Sequence, residues 1–315
     1  MASSSSNRDR QTARLLLSLL TSESNTLPEE VAAESIAKAR EKQLDRLTAL
    51  IEHEAPISMV ILGFPAKSPN RKKTISDLPD LGEVEGLNRL NQLAEKIRRF
   101  YSPGAQIRIC SDGHVFSDIV GVTETQTNQY QNSIDKILLE FQFSNLSTFS
   151  MAGRYQGETA EALRSQLMND FALPLSTFHE RVKTQLETRL LFNGMHRFLF
   201  EDLCELNPLH SRTQIRNAAK SSAYELMRRS QAFSKFIELA FPRALRLSIH
   251  PQLRNSLKIG IKLVPGADRW GTPWHNVLVY HKRSFHLRHR AEAESLGAQL
   301  KWFQGRYPYF ELGGN

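Results

Sequence analysis

Lys67, Arg71, Lys72 and Lys73 crowd with Ser68 and Asn70 into the short stretch Gly63-Phe64-Pro65-Ala66-Lys67-Ser68-Pro69-Asn70-Arg71-Lys72-Lys73. Charged donors make short, strong hydrogen bonds to phosphate and carboxylate oxygens, so this stretch suits an anionic ligand. An exposed basic loop with proline turns has the same composition. The glycines and the GK[ST] order of a Walker loop are missing, which disfavours a nucleoside triphosphate. Asp80-Leu81-Gly82-Glu83 follows and fits a helix N-terminal cap as well as acid–base work. In Ser111-Asp112-Gly113, the aspartate fits either a turn or a proton-transferring carboxylate.

Three further groups carry chemical potential. Arg212, Arg216, Lys220 and Tyr224 recur every four residues and form one polar stripe on a helix, a pattern shared by ligand-binding faces and solvated ones. His250 precedes Pro251 at the end of an apolar segment; an imidazole titrates near neutrality and suits a general acid or base there. Trp270-Gly271-Thr272-Pro273-Trp274-His275 either walls an aromatic pocket or packs a turn. No histidine has metal-ligand spacing. The G-x-S-x-G elbow and the G-x-G-x-x-G fingerprint are both absent. Cys110 lies in an apolar segment and reads as a small buried hydrophobe.

The elements that must position these groups follow from periodicity. Residues 29–54 carry Val31, Ile36, Leu44, Leu47 and Ile51 at helical spacing. Residues 57–63 (ISMVILG) predict a buried strand, residues 87–101 an amphipathic helix and residues 106–110 (QIRIC) a second strand, which is a βαβ unit of a parallel sheet. Residues 127–198 are helical in pattern apart from Pro174, and residues 213–241 predict a long helix stopped by Pro242. Residues 245–249, 257–264 and 277–280 read as strands, the last two as an antiparallel pair. The expected architecture is a Rossmann-like α/β fold: a mostly parallel sheet flanked by helices, a helical insertion over 127–200 and an antiparallel C-terminal edge. Residues 1–25 are expected to be a flexible segment and 26–315 one catalytic domain. The loop at 63–73 then leaves the carboxyl end of a strand, where ligands bind in open α/β sheets.

Bulk properties narrow the classes. The chain has 315 residues, 40% hydrophobic and 23% charged, an ordinary globular balance. No apolar run approaches the ~20 residues of a membrane span. The N-terminal Ser- and Arg-containing stretch has too brief an apolar core for a signal peptide. Two cysteines, Cys110 and Cys204, argue against a disulfide framework and for a reducing, cytoplasmic location. The net charge of +8 favours an anionic partner. Only residues 281–290 (HKRSFHLRHR) form a dense basic run, and it matches no nucleic-acid module. A non-catalytic phosphate- or nucleic-acid-binding protein is the alternative this charge leaves open.

Six segments in order, GFPAKSPN (63–70), LPDLGE (78–83), ICSDGHVFSDIVGV (109–122), RNAAKSSAYELMRRSQAFSKFIELAFP (216–242), RLSIHP (246–251) and GTPWHNV (271–277), resemble the isonitrile synthase family, also called the pyoverdine/dityrosine biosynthesis family. The likeness spans about two thirds of the chain. It implies an enzyme that joins the amine of tryptophan or tyrosine to ribulose 5-phosphate. The amine adds to the C2 ketone, water leaves to give an imine, and elimination with carbon–carbon cleavage leaves C2 on nitrogen as the isonitrile carbon. Phosphate, formaldehyde and a small hydroxyketone depart. No redox cofactor or metal is expected. An iron/2-oxoglutarate oxygenase is the expected pathway partner; nucleic acid and membrane are not. The resemblance assigns Lys67, Ser68, Asn70 and Lys73 to the sugar phosphate, and Arg216 and Lys220 to the same pocket or the amino acid's carboxylate. Asp112 and His250 are the expected proton-transfer pair, Lys67 or Lys220 a possible Schiff base, and Ser111, Trp274 and His275 further substrate contacts.

Overall fold

The computed structural model describes residues 2–22, 24–111, 113–151, 159–268 and 270–313. Two helices, α1 (Ala2–Ser22) and α2 (Ala33–Ile51), precede β1 (Ile57–Leu62), α3 (Leu81–Arg98) and β2 (Ala105–Cys110). The chain continues through α4 (Gly113–Val120), α5 (Glu124–Glu140) and β3 (Leu146–Phe149). Four helices follow, α6 (Ala160–Phe171), α7 (Leu175–Thr184), α8 (Leu186–Leu206) and α9 (Arg212–Ala240), and then β4 (Leu245–Ser248) and β5 (Ile259–Gly260). A 3₁₀ turn at Pro273–His275 leads into β6 (Val277–His281), β7 (Ser284–Arg288), α10 (Arg290–Ser295), β8 (Gln299–Phe303) and β9 (Tyr307–Glu311).

The first five strands are all parallel, in the order β3-β2-β1-β4-β5. Their short, β-branched and apolar runs suit a sheet covered on both faces. Successive side chains alternate between the two faces. Met59, Ile61, Ile107, Ile109, Leu245 and Leu247 join the core that holds α1, α2, α3 and α5. Val60 and Cys110 point the other way, into the core built around α9. The chain leaves β1 towards β2 and returns on the other side as β4, so the sheet's topological switch lies between the tips of β1 and β4.

The C-terminal strands form antiparallel pairs, but in a sheet of their own, ordered β7-β6-β9-β8, with β6 and β9 parallel. The antiparallel pairing expected between residues 257–264 and 277–280 is therefore corrected: β5 pairs parallel with β4. The helical stretch 127–200 is also interrupted, by β3, whose four residues are too few to show a period. Where flexibility was expected over residues 1–25, α1 packs Ala13, Leu16 and Leu20 into the core beside Leu44 and Leu47 of α2. Bridges from Ser24 to Ile261 and from Thr26 to Gln252 then tie the chain to the β4–β5 side of the sheet. Among the described residues, no helix is long and apolar enough to cross a membrane.

Candidate active site

The strand tips place their side chains through one strained turn. Phe64 leaves β1 with φ of 55°, left-handed backbone that a bulky side chain adopts only when its surroundings hold it. Its ring packs 5.2 Å from that of Trp274, and its carbonyl accepts a 3.2 Å hydrogen bond from Ser111 Oγ at the tip of β2. Trp274 is itself core, 3% exposed, so the expected pocket wall is a packed turn. Gly113 is required where β2 hands over to α4: a Cβ there would stand 2.2 Å from the carbonyl oxygen of Pro65.

The ammonium of Lys67 is enclosed in protein. Its Nζ lies 2.8 Å from Asp80 Oδ2, 2.7 Å from Glu83 Oε2 and 3.1 Å from the carbonyl of Pro273, and its side chain has no exposed surface. Tyr130 of α5 donates to Glu83 Oε1 at 3.1 Å. Asp80 and Glu83 at the same time cap α3, each side chain bonding the other's end of the first turn. Burial works against the Lys67 charge, but Asp80 and Glu83 outweigh it and hold the ammonium above its ordinary range. For Asp80, burial raises the pKa, Lys67 pulls it back and Glu83 pushes it up again, leaving it at about 7. Burial and Glu83 keep the Tyr130 phenol protonated, well above its ordinary range. Where a phosphate or Schiff-base role was expected of Lys67, its nitrogen faces, among the described residues, two carboxylates and a backbone carbonyl. It fastens the β1 loop, the start of α3 and the 3₁₀ turn together.

Ser68, Asn70 and Lys73 converge on a residue that sequence reasoning missed, Asp202 of α8. Ser68 Oγ donates to Asp202 Oδ2 at 3.1 Å, and Asn70 Nδ2 to Oδ1 at 3.1 Å. Lys73 Nζ sits 2.8 Å from both Asp202 Oδ1 and Glu201 Oε2. The two buried lysines of the loop thus face four carboxylates, and a dianionic phosphate gains no attraction there. The expected phosphate cradle is an internal clasp. Its one sequence signal was an acidic pair inside the apolar run Phe198-Leu199-Phe200-Glu201-Asp202-Leu203.

His250 and His275 are the titratable groups left at the switch point. His250 follows β4, its ring 5.8 Å from that of Trp270, and its buried Nδ1 has no hydrogen-bond partner among the described residues. Burial, then the charge of Lys258, lowers it to about 4. His275 lies 4.7 Å from the ring of Phe198, and its Nδ1 is 3.3 Å from Thr272 Oγ1. Burial, then Lys73, His289, His250 and Lys67, lowers it to about 3. Both imidazoles are neutral at pH 7 and can accept a proton. On the other side of the tips, a cavity of about 360 Å³ opens between β2, β3 and α5, lined by Phe64, Ile109 and Ile134. Ser111 lines it, bonded 2.9 Å from Gln131 Nε2. Arg216 and Lys220 stand on the exposed face of α9 with no ion pair among the described residues. Asp112 lies outside the described residues.

The pattern of the family described as pyoverdine/dityrosine biosynthesis protein matches residues 47–300, which takes in every element from the end of α2 to β8. The chain belongs to that family. An L-tryptophan isonitrile synthase of Fischerella ambigua is 39% identical over 267 residues, covering 85% of this chain and 81% of the relative. An L-tyrosine isonitrile synthase of Pseudomonas aeruginosa is 37% identical over 284 residues, covering 89% and 87%. The crystal structure of the PvcA protein from Pseudomonas aeruginosa superposes with a TM-score of 0.89 at 35% identity, covering 96% of this chain and 99% of that one. Within this family member, the clasped loop, the two imidazoles and the cavity surround the same strand tips. Asp202, Tyr130 and Gln131 are the partners that no motif pointed to, because each reaches the site from a helix outside the matching segments.

Proposed function

We propose that this protein is an isonitrile synthase, converting the α-amino group of L-tryptophan or L-tyrosine to an isonitrile with ribulose 5-phosphate as carbon donor. The observation that carries the proposal is the identity of 37–39% to isonitrile synthases of both amino acids over most of their length. The geometry supports it with two neutral imidazoles at the sheet's switch point. In the proposed course a neutral imidazole takes a proton as the amine adds to the ketone, and the proton leaves with the carbinolamine oxygen as water. Loss of phosphate and carbon–carbon cleavage follow. C2 stays on nitrogen, C1 leaves as formaldehyde and the remaining carbons leave as a hydroxyketone, so the sequence closes without an external oxidant and belongs with carbon–carbon lyases.

In this reading His250 and His275 are the proton-transfer groups and Lys67 is a positioning residue. Lys258, whose charge already reaches His250 and which has no ion pair among the described residues, supplies a cation for the sugar phosphate. Arg216 and Lys220 have no role in it. A separate iron/2-oxoglutarate oxygenase would consume the isonitrile acid. The test is to incubate purified protein with ribulose 5-phosphate and either amino acid, and to follow the isonitrile by product mass and infrared absorption. Formation of the isonitrile from one or both amino acids is the expected result; folded protein that forms it from neither overturns the proposal.

A further inference from the structure

We infer that the cavity between β2, β3 and α5 receives the ring of the amino acid, and that Asp135 selects rings bearing an N–H or O–H donor. The inference rests on the proposed amino-acid substrate and assigns it a place. At about 360 Å³ the cavity is near the small end of ligand pockets, enough for one aromatic side chain. Phe64, Ile109 and Ile134 give it an apolar wall with one aromatic ring. Asp135 is the one charged residue among the described lining groups. Its carboxylate disfavours a phosphate dianion, and the apolar lining with one acceptor suits the amino acid's ring.

Topology sets the direction of the ligand. The helix α5 joins two parallel strands, so it runs back from their carboxyl tips along the sheet. Gln131 consequently lies at the tip beside Ser111, and Asp135 one helical turn deeper. Thr148 is at the same depth on β3, level with Ile109 rather than Cys110, and its Oγ1 donates to Asp135 Oδ1 at 2.7 Å. An amine held towards Ser111 and the reacting centre sends its ring along the cavity to Asp135, which stands at the cavity's exposed edge. The indole N–H and the phenol O–H both lie on the far part of the ring, where a carboxylate with about four acceptor positions has filled one with Thr148. Phenylalanine offers no donor there, and a site built around a hydrogen bond rejects the analogue that lacks it. The placement of α5 is secured by the neighbouring Tyr130, whose hydroxyl is tied to Glu83 in the Lys67 cluster.

Asp135 is solvent-exposed on its helix, so Asp135→Leu leaves the fold intact. The experiment compares wild type, Asp135→Leu and Asp135→Asn for kcat/KM with tryptophan, tyrosine and phenylalanine. Direct calorimetric binding of the same amino acids in the absence of ribulose 5-phosphate runs beside it. In Asp135→Leu the preference for donor-bearing rings over phenylalanine should fall by at least about tenfold. The fall should appear in KM for the amino acid with KM for ribulose 5-phosphate unchanged, and Asp135→Asn, which keeps an acceptor oxygen, should retain most of the preference. An unaltered preference in folded Asp135→Leu overturns the inference while the synthase reading stands. If wild type makes no isonitrile, the synthase reading fails, and the binding preference alone decides: lost in Asp135→Leu it upholds the pocket, unchanged it overturns it.

Discussion

Lys67→Met removes the one cation from a cluster whose two carboxylates have at most 1% of their side-chain surface exposed. Methionine matches the lysine stem in volume, so the change is electrostatic rather than a cavity. Breaking a buried ion pair by deleting one partner costs about 3–5 kcal/mol, because the remaining charge stays desolvated and unpaired. Here Asp80 and Glu83 are left facing each other, and the folded protein relieves the repulsion by binding a proton. With Lys67 absent, the Asp80 pKa rises further above its present value of about 7. The unfolded chain binds no proton at that pH, so each proton taken up makes the variant lose about 1.4 kcal/mol per pH unit as pH rises. Urea unfolding of wild type and variant from pH 6 to 9 measures both quantities. The gap should be about 3–5 kcal/mol near pH 8 and should narrow towards pH 6. Adding Asp80→Asn and Glu83→Gln to Lys67→Met should restore most of the loss, since both amides still cap α3. A gap below about 1 kcal/mol, or one independent of pH, refutes the account of Lys67 as a buried structural cation.

Acid should destabilise the protein through its histidines. His250 and His275, held near 4 and 3, stay neutral in the fold while an unfolded imidazole protonates near 6.5; each therefore removes about 1.4 kcal/mol per pH unit as pH falls from about 6.5 to 4. Asp80, raised to about 7, works in the opposite sense over the same window and cancels one of them, so the net slope, read by urea midpoints, should be about 1.4 kcal/mol per unit and should flatten in His275→Asn. Asp202→Ala strips Ser68, Asn70 and Lys73 of their shared acceptor and should cost about 2–3 kcal/mol in chemical unfolding, with Asp202→Asn costing less. Gly113→Ala forces the Pro65 carbonyl aside and should lower isonitrile formation at least tenfold while the circular dichroism spectrum is unchanged, a barrier increase of about 1.4 kcal/mol.

The scaffold was legible because its signals are local. Apolar runs at residues 57–63 and 106–110 are β1 and β2 nearly to the residue, and Pro242 stops α9 two residues after Ala240. The four residues of β3 and the two of β5 fell below what a period can reveal, and both are placed by pairing with a neighbour already in the sheet. Of the C-terminal sheet only β6 was read as a strand, and with the wrong partner; that its sheet stands apart from the parallel one depends on β6 pairing with β9, thirty residues away, through contacts no local pattern encodes.

The candidate site divides along the same line, and the division explains why a cationic loop misleads. Lysines at 67 and 73 announce positive charge, but a charge is available to a ligand only if the fold leaves it unneutralised. Lys67 is answered from 13 and 16 residues away by Asp80 and Glu83, which the sequence offered as a helix cap or as acid–base groups and which cap α3 and pair with the lysine at once. Lys73 is answered by Asp202 and Glu201, carboxylates near the end of a helix whose approach to the β1 loop is set by packing on α9. His250 follows the opposite logic: its position at a strand end followed by proline was readable, and its buried Nδ1 has no partner among the described residues. Buried charges here carry the architecture, and the uncharged imidazoles beside them keep the capacity for proton transfer.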